Sequence, residues 1–207
     1  MKVAILIDVQ NDFIDGALPA DKDRAVTGRI RKYAYQCKCD RVPILATRDT
    51  HYDGPQVYGG ASARVEIAEN PPLEIYEDTL EGKNLPVKHC IARSDGWELA
   101  DEVREFVKEA NVVNKATFGS LKGLPAAVAK VDEALRAAYG EGVDEIELAG
   151  FCTNICVVSN ALILRAAFPD TKIAVLENLC AGTTPAEHES ALDVMRSCQV
   201  EVRRAAV

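Results

Sequence analysis

Strand-type and helix-type patterns alternate along the whole chain, and this alternation limits the fold more than any other feature. Short apolar runs typical of buried strands occur at 3–8, 42–47, 112–114, 144–149, 172–176 and 199–203. Stretches with helical spacing separate them, at 22–38, 97–109, 124–139, 154–167 and 185–197. Repeated β-then-α order predicts an α/β fold, a three-layer α/β/α domain with a mostly parallel six-stranded sheet.

Composition narrows the class of protein. At 207 residues, the chain is expected to form a single domain over 1–207. A net charge of −8 argues against a nucleic-acid partner, and the sequence contains no apolar run long enough for a membrane span. Seven cysteines without an export signal predict reduced thiols and a cytoplasmic location.

Polar side chains follow the predicted strands at their carboxyl ends. Asp8 follows the first strand, Asp49 and His51 the second, Lys115 the third, and Cys156 the fourth. Ligands in parallel α/β folds bind beyond these strand ends. We therefore expect the five side chains to gather at one edge of the sheet.

The stretch 147–162 predicts a sharp strand-to-helix elbow that carries Cys156 in the first helical turn. Thr153 or Asn154 is placed to cap this helix. The helix dipole favours a thiolate at Cys156, and free backbone N–H groups of the turn can bind an oxyanion. The alternative is a buried cysteine that only packs at a turn.

Asp8 and Lys115 supply what a cysteine nucleophile needs. A carboxylate that closes an apolar strand is partly desolvated, which makes it a stronger base. The ammonium of Lys115 can hold both Asp8 and the thiolate by charge. Taken singly, an Asp that caps a turn and a solvated Lys at a strand end are the alternatives.

A metal site is predicted in the Gly- and Pro-rich region 50–95, which we interpret as a metal-site and lid loop. Asp49 and His51 are two apart in an extended segment, so their side chains point the same way. Together with His89, and with Glu81 as a further contact, they suit a divalent transition metal, with zinc or iron expected. Alternatively, the two histidines only hydrogen-bond the loop backbone.

Three further features have weaker interpretations. Phe13 and Phe118 can wall an aromatic substrate or pack in the core. Cys37 and Cys39 form a Cys-x-Cys pair that suits a redox or soft-metal role, although core packing of one and surface exposure of the other is the favoured interpretation. His188, in an acidic helix, is expected to be solvated.

Four motifs in fixed order resemble the isochorismatase-like cysteine hydrolases, and most closely their nicotinamidase branch. They are Ile7-Asp-Val-Gln-Asn-Asp-Phe13, Thr47-Arg-Asp-Thr-His51, Leu85-Pro-Val-Lys-His-Cys90 and Gly150-Phe-Cys-Thr-Asn-Ile-Cys-Val157. The resemblance implies a catalytic triad of Asp8, Lys115 and Cys156, and metal ligands Asp49, His51 and His89. It also implies a cis peptide at Phe151–Cys152, with the N–H groups of Cys152 and Cys156 as the oxyanion hole.

The chain departs from this pattern in two places, which bear on the substrate more than on the chemistry. Residues 92–96 replace a Gly-Thr-x-Gly turn of the family, and 54–73 looks like an insertion in the lid region. The resemblance implies hydrolysis of a small, nicotinamide-like carboxamide to carboxylate and ammonia through a thioester. A homo-oligomer is expected because such assemblies are common for folds of this type. The alternatives are another amide or ureido hydrolase of the family and a non-catalytic or redox thiol protein.

Overall fold

The fold is built on one parallel sheet. The computed structural model describes residues 1–54, 57–58, 61–62 and 75–207. The strands of these residues are β1 (Lys2–Ile7), β2 (Ile44–Asp49), β3 (Val57–Tyr58), β4 (Ala61–Ser62), β5 (Val112–Lys115), β6 (Glu145–Phe151), β7 (Lys172–Ala181) and β8 (Glu201–Arg203). Six of them form a sheet in the order β5-β2-β1-β6-β7-β8 with every pair parallel, and β3 pairs with β4 separately. The predicted sheet is confirmed.

Helices cover both faces of the sheet, as the alternation predicts. They are α1 (Asn11–Ile14), α2 (Ala25–Cys39), α3 (Leu80–Asn84), α4 (Asp101–Arg104), α5 (Gly123–Tyr139), α6 (Val158–Ala167) and α7 (Pro185–Ser197). One apolar cluster packs Leu6 of β1 against Ile30 of α2. A second packs Ile5 against Leu124 of α5 and the helices α6 and α7. Among the described residues, no helix is long and apolar enough to cross a bilayer.

The predicted helix at 97–109 is wrong for most of its length, since only α4 and a 3₁₀ turn at Glu109–Asn111 form there. The reason is that the backbone of this segment bonds to the loop after β1. Asn11 N–H donates to the Glu98 carbonyl, and Ala100 N–H donates to the Val9 carbonyl. These groups are unavailable for helical i→i−4 bonds. The predicted cap of α7 is confirmed, because Thr184 Oγ1 accepts from Glu187 N–H at 3.2 Å.

The strand order reverses between β1 and β6, where the chain returns from β5 to the other side of β1. In parallel α/β sheets, such a switch point opens a crevice at the carboxyl ends of the strands. Asp8 directly follows β1, and Cys156 lies in a π-helical turn, Thr153–Val157, that follows β6. The fold thus places both side chains at the crevice.

Candidate active site

Asp8 is fully buried at the end of β1 and is held there by its neighbour on β2. Its backbone has a φ of 48°, and its carboxylate Oδ1 accepts from Thr47 Oγ1 at 2.6 Å. In the described residues, no donor meets hydrogen-bond geometry at Oδ2, although the Lys115 ammonium lies 2.8 Å away as an ion pair. Burial raises the pKa of Asp8 above its ordinary value, against the opposing charge of Lys115. Oδ2 is therefore the oxygen that can receive a proton.

Lys115 ends β5 and lies at the centre of the polar cluster. Its fully buried Nζ is 2.8 Å from Asp8 Oδ2, 3.1 Å from Asp49 Oδ1 and 3.7 Å from Cys156 Sγ. Burial disfavours the charged form, but attraction to Asp49 and Asp8 outweighs it and keeps the pKa of Lys115 well above its ordinary value. The lysine is a fixed ammonium rather than a solvated one.

Cys156 lies in the π-helical turn rather than in a regular first turn of α6, and its side chain is buried. Burial raises the pKa of this thiol well above its ordinary value, and the charge of Lys115 only partly offsets the effect. Burial thus opposes the predicted effect of the helix dipole, which favours the thiolate. The thiol holds its proton until an acceptor takes it.

The predicted helix cap at Thr153 or Asn154 is also wrong, because both side chains bond to the start of α7 instead. Thr153 Oγ1 is 2.8 Å from His188 Nδ1, and Asn154 exchanges hydrogen bonds with Thr183 at 2.9 and 3.0 Å. His188 is half-buried in this contact, not solvated as expected. These bonds brace the turn that carries Cys156.

The peptide bond between Phe151 and Cys152 is cis, at the position that the resemblance implies. Cys152 is buried, and its carbonyl accepts from the N–H groups of Ile155 and Val157, both at 3.1 Å. The oxyanion role of the Cys152 and Cys156 N–H groups remains a prediction.

Asp49, His51, Glu81 and His89 form a compact group in which one ligand atom of each lies within 4.8 Å of the others. Asp49 Oδ2 is 3.0 Å from His51 Nε2 and 3.6 Å from His89 Nε2, while Glu81 Oε1 is 3.6 and 3.5 Å from the same two nitrogens. Two imidazoles and two carboxylates that converge in this way fit a divalent transition metal.

His89 is oriented for coordination by its own loop. Its Nδ1 donates to the Val87 carbonyl at 2.8 Å, which turns Nε2 towards the other three side chains of the group. Burial lowers the pKa of His89, but hydrogen bonds to Asp49 and Glu81 raise it to about 10. The excess of negative charge that holds a proton on this imidazole is the charge that a bound cation would neutralise.

The structure separates the two phenylalanines. Phe13 is buried, with its ring centroid 5.7 Å from that of His89, so it lies against the predicted metal ligands. Phe118 follows Lys115 and is exposed. Cys37 is buried and Cys39 is exposed on α2, so their side chains do not face each other as a redox pair would. The insertion at 54–73 lies almost entirely outside the described residues.

Three side chains that position the cluster were missed by the sequence reasoning, although all three lie in quoted motifs. Gln10 clamps the backbone of Asp49, accepting from its N–H at 2.7 Å and donating to its carbonyl at 2.9 Å. Asp12 Oδ2 accepts from Cys90 N–H at 2.7 Å, which fixes the residue after His89. Thr47 holds Asp8. The sequence signal that could have found them is their position, since each lies one or two residues from a predicted site residue and has a side chain that can form hydrogen bonds.

Tyr76 also contacts the predicted metal ligands. No periodicity or spacing in the sequence predicts this contact. Its buried ring lies 4.7 Å from that of His51 and 5.3 Å from that of His89, centroid to centroid. Its hydroxyl donates to the Leu85 carbonyl at 2.7 Å, which fastens the end of the segment that carries Glu81.

Known proteins resemble this chain in sequence and in fold. The nicotinamidase/pyrazinamidase of Mycobacterium tuberculosis is 25% identical over 98% of both chains. A pyrazinamidase structure from Pyrococcus horikoshii in complex with zinc superposes with a TM-score of 0.68 at 21% identity, over 99% of both chains. N-carbamoylsarcosine amidase from Thermoplasma acidophilum superposes with a TM-score of 0.65 at 21% identity, over 100% of this chain and 97% of that one. The family model described as the isochorismatase domain matches residues 2–207, and the chain belongs to that family.

Proposed function

We propose that the protein is a metal-containing cysteine amidohydrolase that converts a nicotinamide-like carboxamide to the carboxylate and ammonia. The observation that carries this proposal is the convergence of Asp8, Lys115 and Cys156 beside a four-residue metal cluster, with Asp49 in contact with both groups. The Mycobacterium tuberculosis relative supports the substrate class, because its similarity extends over the whole chain.

The reaction begins with a proton transfer within the buried cluster. Asp8 Oδ2 takes the Cys156 proton, which its raised pKa favours, and the thiolate attacks the amide carbon. The N–H groups of Cys152 and Cys156 stabilise the oxyanion. Asp8 returns the proton to the leaving ammonia and then activates water to hydrolyse the thioester.

Lys115 lowers the free energy of this proton transfer. During the proton transfer the negative charge passes between Asp8 and Cys156, and the ammonium lies 2.8 Å from the former and 3.7 Å from the latter. A fixed positive charge in a water-excluded site stabilises charge in the transition state without reorganisation.

Asp49, His51, His89 and Glu81 would hold the metal, with zinc or iron as the proposed ion. When bound, it would act as a Lewis acid that binds and orients the ring nitrogen of the substrate. Phe13 would face one side of that ring, and Phe118 would stand at the entrance. The lid at about 50–95, a homo-oligomeric state and a cytoplasmic location belong to the same proposal. The seven free thiols support a reducing compartment.

An ammonia-release assay on nicotinamide, pyrazinamide and an N-carbamoyl amino acid tests the proposal. We expect turnover of the aromatic carboxamides and a loss of at least about 100-fold in Cys156→Ala and Asp8→Asn. Cys198→Ala, which removes an exposed thiol elsewhere, is the matched control and should match the parent. Activity confined to the N-carbamoyl substrate would make the protein a ureido hydrolase, and full activity in Cys156→Ala would remove the thiol from the mechanism.

Metal content is measured on the same preparations without a His tag. We expect close to one equivalent in the parent and strong loss in a His51→Ala/His89→Ala double variant. The metal site would be refuted if the parent and the double variant both held less than about a tenth of an equivalent of metal, and if neither chelators nor added metal changed the activity.

A further inference from the structure

The strands that lead to Lys115 and to Cys156 do not pair with each other. Lys115 ends β5 at one edge of the sheet, and Cys156 follows β6, with β2 and β1 between them. Asp8 and Asp49 at the ends of these two strands hold the ammonium, so the 3.7 Å distance between Nζ and Sγ also depends on contacts that hold the backbone of Cys156. The segment between β5 and α5, residues 116–122, crosses towards α6 and supplies such a contact.

Asn160 is the polar centre of that contact. It is fully buried on α6, one turn after Cys156. Its Nδ2 donates to the Cys156 carbonyl at 2.8 Å and to the Phe118 carbonyl at 3.2 Å, and its Oδ1 accepts from Ser120 N–H at 2.9 Å. One side chain thus bonds the backbone of the nucleophile and the backbone of the segment that follows Lys115.

The chemistry of this contact specifies an amide. Both amide hydrogens and the carbonyl oxygen are used, and only Asn and Gln carry that set of groups. The closeness of the backbones makes the longer Gln unsuitable. A Cβ at Gly119 would lie 2.5 Å from Ile163 Cδ1 and 3.2 Å from Ser159 Cβ, so the segment rests directly on α6.

We infer that Asn160 is a positioning residue that fixes the distance between the Lys115 ammonium and the Cys156 thiol. The inference rests on the proposed function, and it assigns Asn160 a role that acts through Cys156 and not through contact with substrate. Without the amide, the thiolate would form farther from the ammonium, and a displacement of about 1 Å in such a site lowers turnover by about 10- to 100-fold.

Two substitutions at Asn160 separate this role from simple packing. In Asn160→Thr, the hydroxyl can still donate to the Cys156 carbonyl one turn back, but it cannot reach the segment 116–122. In Asn160→Asp, a carboxylate oxygen replaces Nδ2 and faces the two carbonyl oxygens. We expect both to lower kcat by about 10-fold or more with KM within about threefold, and to slow alkylation of Cys156 by iodoacetamide to the same extent.

Ser159→Ala is the matched control. Ser159 Oγ donates to the Ile155 carbonyl at 2.7 Å, so this variant removes a side-chain hydrogen bond from the same turn but keeps the Cβ that faces Gly119. It should keep parental kcat and alkylation rate. If the Asn160 variants lose only thermal stability while the folded protein keeps both parental rates, Asn160 is merely structural and the inference is overturned.

Gly119→Ala tests the same contact from the other side if the Asn160 variants do not fold. The new methyl group meets Ile163 Cδ1, so activity should fall and recover in the Gly119→Ala/Ile163→Val double variant. Movement of Ile163 Cδ1 alone could accommodate that methyl group, so the bulkier Gly119→Leu is measured as well; parental activity and a parental alkylation rate of Cys156 in both Gly119 variants would overturn the inference. Should the parent release no ammonia from any amide, the proposed function fails, while the alkylation rates of Cys156 in the same variants still decide the role of Asn160.

Discussion

Replacing Lys115 by Met should destabilise the protein far more than replacing a surface lysine. The variant keeps the aliphatic chain but leaves the buried carboxylates of Asp8 and Asp49 without their cation. At an effective dielectric constant of about 20, a separation of 2.8 Å corresponds to about 6 kcal/mol of attraction and 3.1 Å to about 5.

Most of that attraction is offset by the cost of burying the charges. Removing one partner of a buried ion pair leaves an uncompensated charge and typically costs about 3–5 kcal/mol. The total free energy of unfolding of a domain is about 5–15 kcal/mol, so Lys115→Met should unfold at a much lower urea concentration, or fail to fold. In the Asp8→Asn background the same substitution should cost about 1.5–3 kcal/mol less, because one carboxylate is gone.

Urea unfolding of chelator-treated protein measures these free energies without a cation at Asp49 that would offset the lost charge. Lys172→Met is the matched control, because Lys172 pairs with Glu201 at 3.0 Å on the surface, where such a pair contributes about 0–1 kcal/mol. Equal shifts of the urea midpoint for Lys115→Met and Lys172→Met would refute the view that the ammonium is held by a buried charge cluster.

Three smaller predictions follow from other contacts. Burial raises the pKa of Glu147, but its hydrogen-bonded partners lower it overall, so its stabilisation should be present above the unfolded pKa of about 4.3 and fade at lower pH. The urea midpoint of the parent should then fall more steeply below that pH than that of Glu147→Gln. Tyr76→Leu should weaken zinc affinity by about 10-fold or more in chelator competition, and Tyr76→Phe by less, since it keeps the ring against His51 and His89. Thr184→Ala should lower the free energy of unfolding by about 1 kcal/mol, because it removes the cap of α7.

The sheet could be predicted from the sequence because each strand is a short apolar run that the chain repeats. Residues 3–7 are fully buried in β1, and a run of that kind has few alternatives to a central parallel strand. The segment 97–109 misled the same reasoning. Its apolar spacing is real, since Trp97 and Val103 are buried, but tertiary hydrogen bonds to the loop after β1 take the place of helical ones.

The sequence could predict the site residues that follow the ends of strands. It could not predict side chains whose contacts lie on distant segments of the chain. Asp8, Lys115 and Cys156 stand at positions that topology alone brings to one edge. The pKa of Cys156 was not predictable, because burial opposes the helix dipole and only the structure shows how complete the burial is. Asn160 and Tyr76 lie on segments whose partners are more than a dozen residues away, and pattern reasoning gives no signal for such contacts.

Asp49 joins the two halves of the site through its two carboxylate oxygens. Oδ1 is 3.1 Å from the Lys115 ammonium, and Oδ2 is 3.0 Å from His51 in the predicted metal cluster. Burial raises the pKa of Asp49, but the Lys115 ammonium and contacts with His51 lower it well below its ordinary value, so the carboxylate stays ionised. Because Asp49 contacts both neighbours, a cation bound at Oδ2 would weaken the attraction of Asp49 for Lys115 and leave the ammonium more available to Asp8 and Cys156. The predicted metal ligands and the thiol site are therefore electrostatically coupled through Asp49.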